Sequence, residues 1–147
     1  MYRLFSLRCT AIVLAVLGLF ALSAPRAAAT DRPFHVEGTF TFVAKGNNAD
    51  VSGSGHAEPG GPFVFEDSVR GRDEHGVKMV EGTVTLVFAS GSTLSFYYEA
   101  PIDENNVVMG PYWVIGGTGR FEGASGYGTI WYPIGQGETF TMDGELE

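Results

Sequence analysis

Glu37, Glu81 and Glu99 are the side chains of this sequence best suited to proton transfer. A carboxyl group facing an apolar cavity is desolvated, its pKa rises, and it can then serve as acid or base near neutrality. Each of the three lies on the more polar face of a segment with alternating apolar residues. If those faces line an interior, the glutamates are weak catalytic candidates; if the apolar faces turn inward, they are ordinary exterior charges, which is the simpler reading. No catalytic residue is assigned. Nucleophilic chemistry is poorly provided for, because there is no G-x-S-x-G and Ser54, within Ser-Gly-Ser-Gly-His, suits a flexible strand or turn. The histidines, His35, His56 and His75, form no H-x-H or H-x-x-x-H cluster, so a metal site is not expected. Asp103-Glu104-Asn105-Asn106 offers oxygen ligands without the spacing of an EF-hand and reads as a solvated turn. No cofactor is expected.

Aromatic residues are the stronger indication of function. Phe40, Phe42, Phe63, Phe65, Phe96, Tyr98 and Trp113 are predicted to project from strands into a common interior. There they either fill the lumen as a core or wall an apolar cavity for one small ligand. Tyr97, Tyr112, Trp131 and Tyr132 are predicted to face outward, where they would form an association surface.

These side chains need a scaffold, and the chain of 147 residues suffices for one domain. It is 44% hydrophobic and 18% charged, a packable globular composition, while 21 glycines and 7 prolines disfavour a helix bundle. A formal charge of −8 repels phosphate backbones and anionic lipid, so no nucleic acid is expected as a partner. Arg3 and Arg8 precede an apolar run from Ala11 to Leu22, and Ala27-Ala28-Ala29 supplies small residues for cleavage. This reads as a signal peptide over residues 1–29, with a single domain over 30–147 in the periplasm or outside the cell. The run would reach ~18 Å of a ~30 Å hydrocarbon core, so no membrane association is expected after cleavage. Cleavage also removes Cys9, the one cysteine, so no disulfide follows and the core alone must hold the fold.

Period-two alternation dominates the chain after residue 30. It is clear over Phe34–Phe42, Val80–Phe88 and Leu94–Glu99, and weaker over Val51–Glu58, Pro62–Arg70, Val107–Ile115, Tyr127–Pro133 and Glu138–Leu146. Turn-forming clusters separate the segments, including Lys45–Asn48, Glu58–Gly61, Gly71–Gly76 and Ala89–Ser92. Eight short strands without helical periodicity indicate a sandwich or an antiparallel barrel. Lack of disulfides favours the barrel, because closure removes exposed edges.

The densest signal is Gly116-Gly117-Thr118-Gly119-Arg120-Phe121-Glu122-Gly123-Ala124-Ser125-Gly126-Tyr127-Gly128. Its glycines permit a tight turn, and Phe121 is the one large apolar group able to pin that turn to the core. Arg120 is expected to pair with an acid such as Glu122 or with another subunit. The spacing of Gly117, Gly119 and Gly123 does not make a phosphate loop. The segment resembles the signature turn of dirigent proteins and plant allene oxide cyclases, and is similar to that of short exported bacterial proteins. The resemblance implies an eight-stranded calycin-like barrel, with trimers common among the plant members. Those enzymes carry an acid and polar partners on the first strand within a motif absent here; Glu37 in Phe34-His35-Val36-Glu37-Gly38 matches by place alone.

The sequence therefore predicts an exported all-β barrel, non-enzymatic, binding a small apolar molecule in its lumen or acting through self-assembly. A cyclase or isomerase of the allene oxide cyclase kind and a structural envelope component are the alternatives.

Overall fold

The computed structural model describes residues 31–135 and 138–147, so the predicted leader lies outside the described residues. Eight strands follow in order: β1 (Arg32–Lys45), β2 (Asn48–Glu58), β3 (Gly61–Glu74), β4 (Val77–Phe88), β5 (Thr93–Pro101), β6 (Val107–Thr118), β7 (Gly126–Pro133) and β8 (Thr139–Leu146). Each pairs with the next, and β8 pairs antiparallel with β1 from Arg32↔Leu146 to Thr39↔Thr139, so the sheet closes into a barrel. All eight predicted segments lie in these strands except for Glu138, which precedes β8 at φ 41°. The strands run longer than expected, because Gly71–Glu74, read as a turn, continues β3. There Gly71 N–H donates to Asn47 O at 2.6 Å and Arg72–Glu74 pair with β4, so partner strands satisfy the backbone. The reversal is left to His75 and Gly76, at φ 55° and 86°.

Up-and-down connectivity gives the barrel two unlike ends. The β1–β2, β3–β4, β5–β6 and β7–β8 connections gather at what we call the hairpin end. The β2–β3, β4–β5 and β6–β7 connections gather at the plug end. Alternation decides what points inward: Phe34, Val36 and Phe40 on β1, Val80, Val84, Leu86 and Phe88 on β4, and Leu94, Phe96 and Tyr98 on β5 are all buried. Burying each such side chain contributes roughly 1.5–3 kcal/mol.

The expected facing of β6 is reversed. Tyr112 is buried and Trp113 is 45% exposed. Apolar residues occupy both faces of β6, with Val108, Tyr112 and Val114 inside and Met109, Trp113 and Ile115 outside. A shift of one residue in the reading therefore exchanges the faces without leaving the pattern. Tyr132, also expected outside, is buried, while Tyr97 and Trp131 face outward as expected. Tyr112 lies across Gly128 and Gly144, where a Cβ on Gly144 would come within 2.5 Å of its hydroxyl. Among the described residues that hydroxyl has no hydrogen-bond partner, and burial raises its pKa.

The plug end is closed by the glycine segment. The β5–β6 register shifts between Ser95 and Phe96, leaving Ile115 as an extra residue that bends β6. A 3₁₀ turn, Gly119–Phe121, follows. Gly119 sits at φ 61°, with the position of a Cβ 2.5 Å from Ser92 Oγ, so only glycine fits. Phe121 is buried against Phe88 at 4.9 Å between centroids, and Phe88 meets Phe63 edge-on at 6.0 Å. Arg120 does not pair with Glu122 among the described residues. Its guanidinium stands 5.3 Å from the Phe121 ring centroid, covering the plug through a cation–π contact.

Candidate functional site

Below the plug the interior is filled, and toward the hairpin end it opens. A cavity of about 220 Å³ occupies this part of the lumen. Phe40, Phe42 and Ala44 of β1 reach it from one side, and Phe96 and Tyr98 of β5 from the other. Phe65, Val69, Val80, Val84, Ile130, Tyr132 and Phe140 complete the wall, while Ile102, Ile134, Asn47 and Asn48 stand where loops meet it. Phe140 forms much of the floor, packed edge-on against Phe65 at 5.7 Å and Phe40 at 6.3 Å. Phe42 is 37% exposed at the lip, because β1 and β2 run on together to Lys45↔Asn48 at the hairpin end.

The lining contains no ionisable group other than tyrosine. Tyr98 and Tyr132 meet there through their hydroxyls at 2.9 Å, with rings edge-on at 6.2 Å. Burial pushes the Tyr98 hydroxyl well above its usual pKa and that of Tyr132 up to about 12. Both stay neutral at physiological pH. Of the seven aromatics predicted to face a common interior, Phe40, Phe42, Phe65, Phe96 and Tyr98 border the cavity. Phe63 lies instead in the filled half, and Trp113 is outside the barrel, stacked on Tyr97 at 6.2 Å. The hydroxyl partner missed by sequence reasoning is Tyr132. The signal available was Ile130 and Tyr132 alternating with Thr129 and Trp131 on β7.

The three glutamates are on the outer surface. Glu37 is exposed on β1. Glu81 and Glu99 oppose each other across β4 and β5, bridged by Arg72, which donates to Glu81, to Glu99 at 2.6 Å and to Glu74 at 3.0 Å. Tyr97 O–H donates to Glu99 at 3.1 Å. This cluster therefore clamps neighbouring strands and does not address the lumen. His35 lies on the outer face against Asp143, 2.6 Å away, and that hydrogen bond raises its pKa. His56 is on β2 and His75 in the β3–β4 turn, so the structure does not bring the three histidines together. Among the described residues no group of three or more metal-binding side chains is found. Asp103 uses its carboxylate to accept the N–H groups of Asn105 and Val107, both at 2.8 Å, as a turn residue does.

Asp67 is a carboxylate that sequence reasoning did not single out. The β3–β4 ladder lapses between Val64↔Val87 and Val69↔Gly82, and Asp67 accepts Thr85 N–H there at 2.8 Å. Burial raises its pKa and this hydrogen bond opposes the rise.

No protein-family model matches the chain, and no curated protein matches it. Among solved structures the barrel is similar to two pterocarpan synthase dirigent proteins. The first is 15% identical at a TM-score of 0.53, covering 80% of this chain and 94% of that one. The second is 18% identical at a TM-score of 0.52, covering 80% of this chain and 88% of that one. Likeness at this identity establishes the fold: the chain forms a dirigent-like eight-stranded β-barrel.

Proposed function

We propose that this chain is an exported, non-enzymatic barrel that holds one small, neutral, apolar molecule in its lumen. The observation that carries the reading is the cavity of about 220 Å³, walled by aromatic and aliphatic side chains and reached from the hairpin end. A dry apolar cavity of ~150 Å³ is enough to hold benzene, so this space suits a molecule of one or two rings. An unpaired charge entering such a wall would lose its hydration without compensation. A cyclase that steers charge with a carboxylate finds no support in Glu37, Glu81 or Glu99, all of which lie outside the lumen. Titrating the purified protein with the neutral two-ring fluorophore 6-acetyl-2-(dimethylamino)naphthalene tests the reading. Saturable one-site enhancement is expected, and Val80→Phe, which adds a ring to the cavity wall, should abolish it. No enhancement with the native protein would defeat luminal binding.

Self-assembly is supported by a separate observation. Met109, Trp113 and Ile115 give β6 an apolar outer face, and Tyr97, Trp113 and Tyr127 stand in register across β5, β6 and β7. Equilibrium sedimentation should show an oligomer, a trimer if the barrel associates as the resemblance implies, that Trp113→Ser dissociates. A native monomer at all concentrations would remove this role.

A further inference from the structure

Resting on the luminal reading above, we propose that the Tyr98–Tyr132 pair selects neutral apolar ligands that carry a hydrogen-bond acceptor oxygen, such as a ketone, ester or ether. The argument is a count of protons. Two neutral phenols bring two hydroxyl hydrogens, and their mutual bond at 2.9 Å uses one, whichever oxygen donates. Among the described residues neither hydroxyl has any other hydrogen-bond partner. One donor is therefore left over in a wall that is otherwise nearly all hydrocarbon.

The geometry also holds that donor in place. Tyr98 and Tyr132 are 3% and 8% exposed, and Phe40 packs edge-on against Tyr132 at 5.4 Å. The pair joins β5 to β7 across the intervening β6, so both rings are anchored on regular strands. A ligand accepting this hydrogen meets a donor whose conformational cost has already been met in folding. An isosteric hydrocarbon fills the same space and leaves the hydroxyl hydrogen unused. An anionic isostere gains one hydrogen bond but must bury its charge without a cation, since the lining has none.

Three isosteric probes test this by fluorescence or calorimetric titration of the whole protein: 2-acetylnaphthalene, 2-isopropenylnaphthalene and 2-naphthoate. The readout is the ratio of ketone to alkene affinity, compared between proteins so that the differing hydration of the probes cancels. In Tyr98→Phe or Tyr132→Phe the remaining hydroxyl loses its partner and offers its hydrogen to the ligand, so the native ratio should persist. In the double variant, Tyr98→Phe with Tyr132→Phe, the ratio should fall about three- to tenfold, the worth of one hydrogen bond. Replacing both phenols by rings of the same shape leaves no unpaired hydroxyl, and an unchanged melting curve will show that the double variant is folded. Naphthoate should bind at least about a hundredfold more weakly than the ketone to the native protein. If both neutral probes bind but the ratio is the same in the native and double-variant proteins, or if naphthoate binds as well as the ketone, the selectivity proposal fails and luminal binding survives. If neither neutral probe binds the native protein, both readings fall together.

Discussion

The two ends of the barrel are built from the same alternating strands, yet one is packed solid and the other stands open. The difference lies in how far the connections can reach. At the plug end the β6–β7 connection is long enough to make a 3₁₀ turn and carry Phe121 back onto Phe88. At the hairpin end β1–β2 and β3–β4 are joined by turns at Gly46-Asn47 and His75-Gly76, too short to cross the mouth. Among the described residues of the longer β5–β6 and β7–β8 connections, Ile102 and Ile134 stand at the cavity wall. Whether a barrel of this kind has a filled or a hollow interior is decided by its loops as much as by its strands.

The largest test of this contrast removes one ring from each end. Phe121→Ala should cost about 3–5 kcal/mol in urea unfolding, the usual result of emptying a buried aromatic site. Phe42→Ala, at the 37% exposed lip, should cost under about 1 kcal/mol. Equal losses would mean that the hairpin end is as much a structural core as the plug. A smaller effect comes from paired glycines, both with positive φ. A Cβ on Gly119 would strike Ser92, whereas one on Gly46 would meet nothing within 4 Å. Gly46→Ala should cost about 1–2 kcal/mol from backbone strain alone, and Gly119→Ala measurably more in the same melt. The reverse order would refute the account of the plug turn.

Exposed ion pairs provide the finest comparison, because one clasps strands near each end. His35–Asp143 joins β1 to β8 near the plug, and Lys45–Asp50 joins β1 to β2 at the hairpin. The His35 pKa is raised from 6.5, so its contribution is complete below 6.5 and is lost as pH rises through the folded value. The Asp50 pKa is lowered from 3.8, so its contribution is present above 3.8 and is lost as pH falls through the folded value. Amide exchange along the β1–β8 seam should therefore quicken slightly as pH rises from 6.5 through the folded value, beyond the intrinsic rate, with no counterpart at the hairpin. Below pH 4 the hairpin should loosen, and high salt should weaken both effects. An alkaline response confined to the hairpin would contradict this assignment.

Much of this architecture is legible in the sequence. Phe34–Phe42, Val80–Phe88 and Leu94–Glu99 alternate cleanly, and their inward faces are those that the alternation predicts, Phe42 included, although it is 37% exposed at the lip of the cavity. Phe121 is also recoverable, since a lone large apolar residue among glycines has few places to go. The facing of β6 is not, because Tyr112 and Trp113 are adjacent, both aromatic, and equally compatible with a core position until neighbouring strands fix the register. The tyrosine pair escapes for another reason. Tyr98 and Tyr132 are 34 residues apart on strands separated by β6, so their meeting depends on the sheet curving enough to bring two next-nearest strands' inward side chains together.

Sealing one end with Phe121 has a kinetic corollary. A guest in a lumen with a single doorway must depart along the path by which it arrived, so arrival and escape share one barrier. Movements of the β1–β2 lip would then set how long a guest dwells, while the stability of the plug would leave the dwell time untouched.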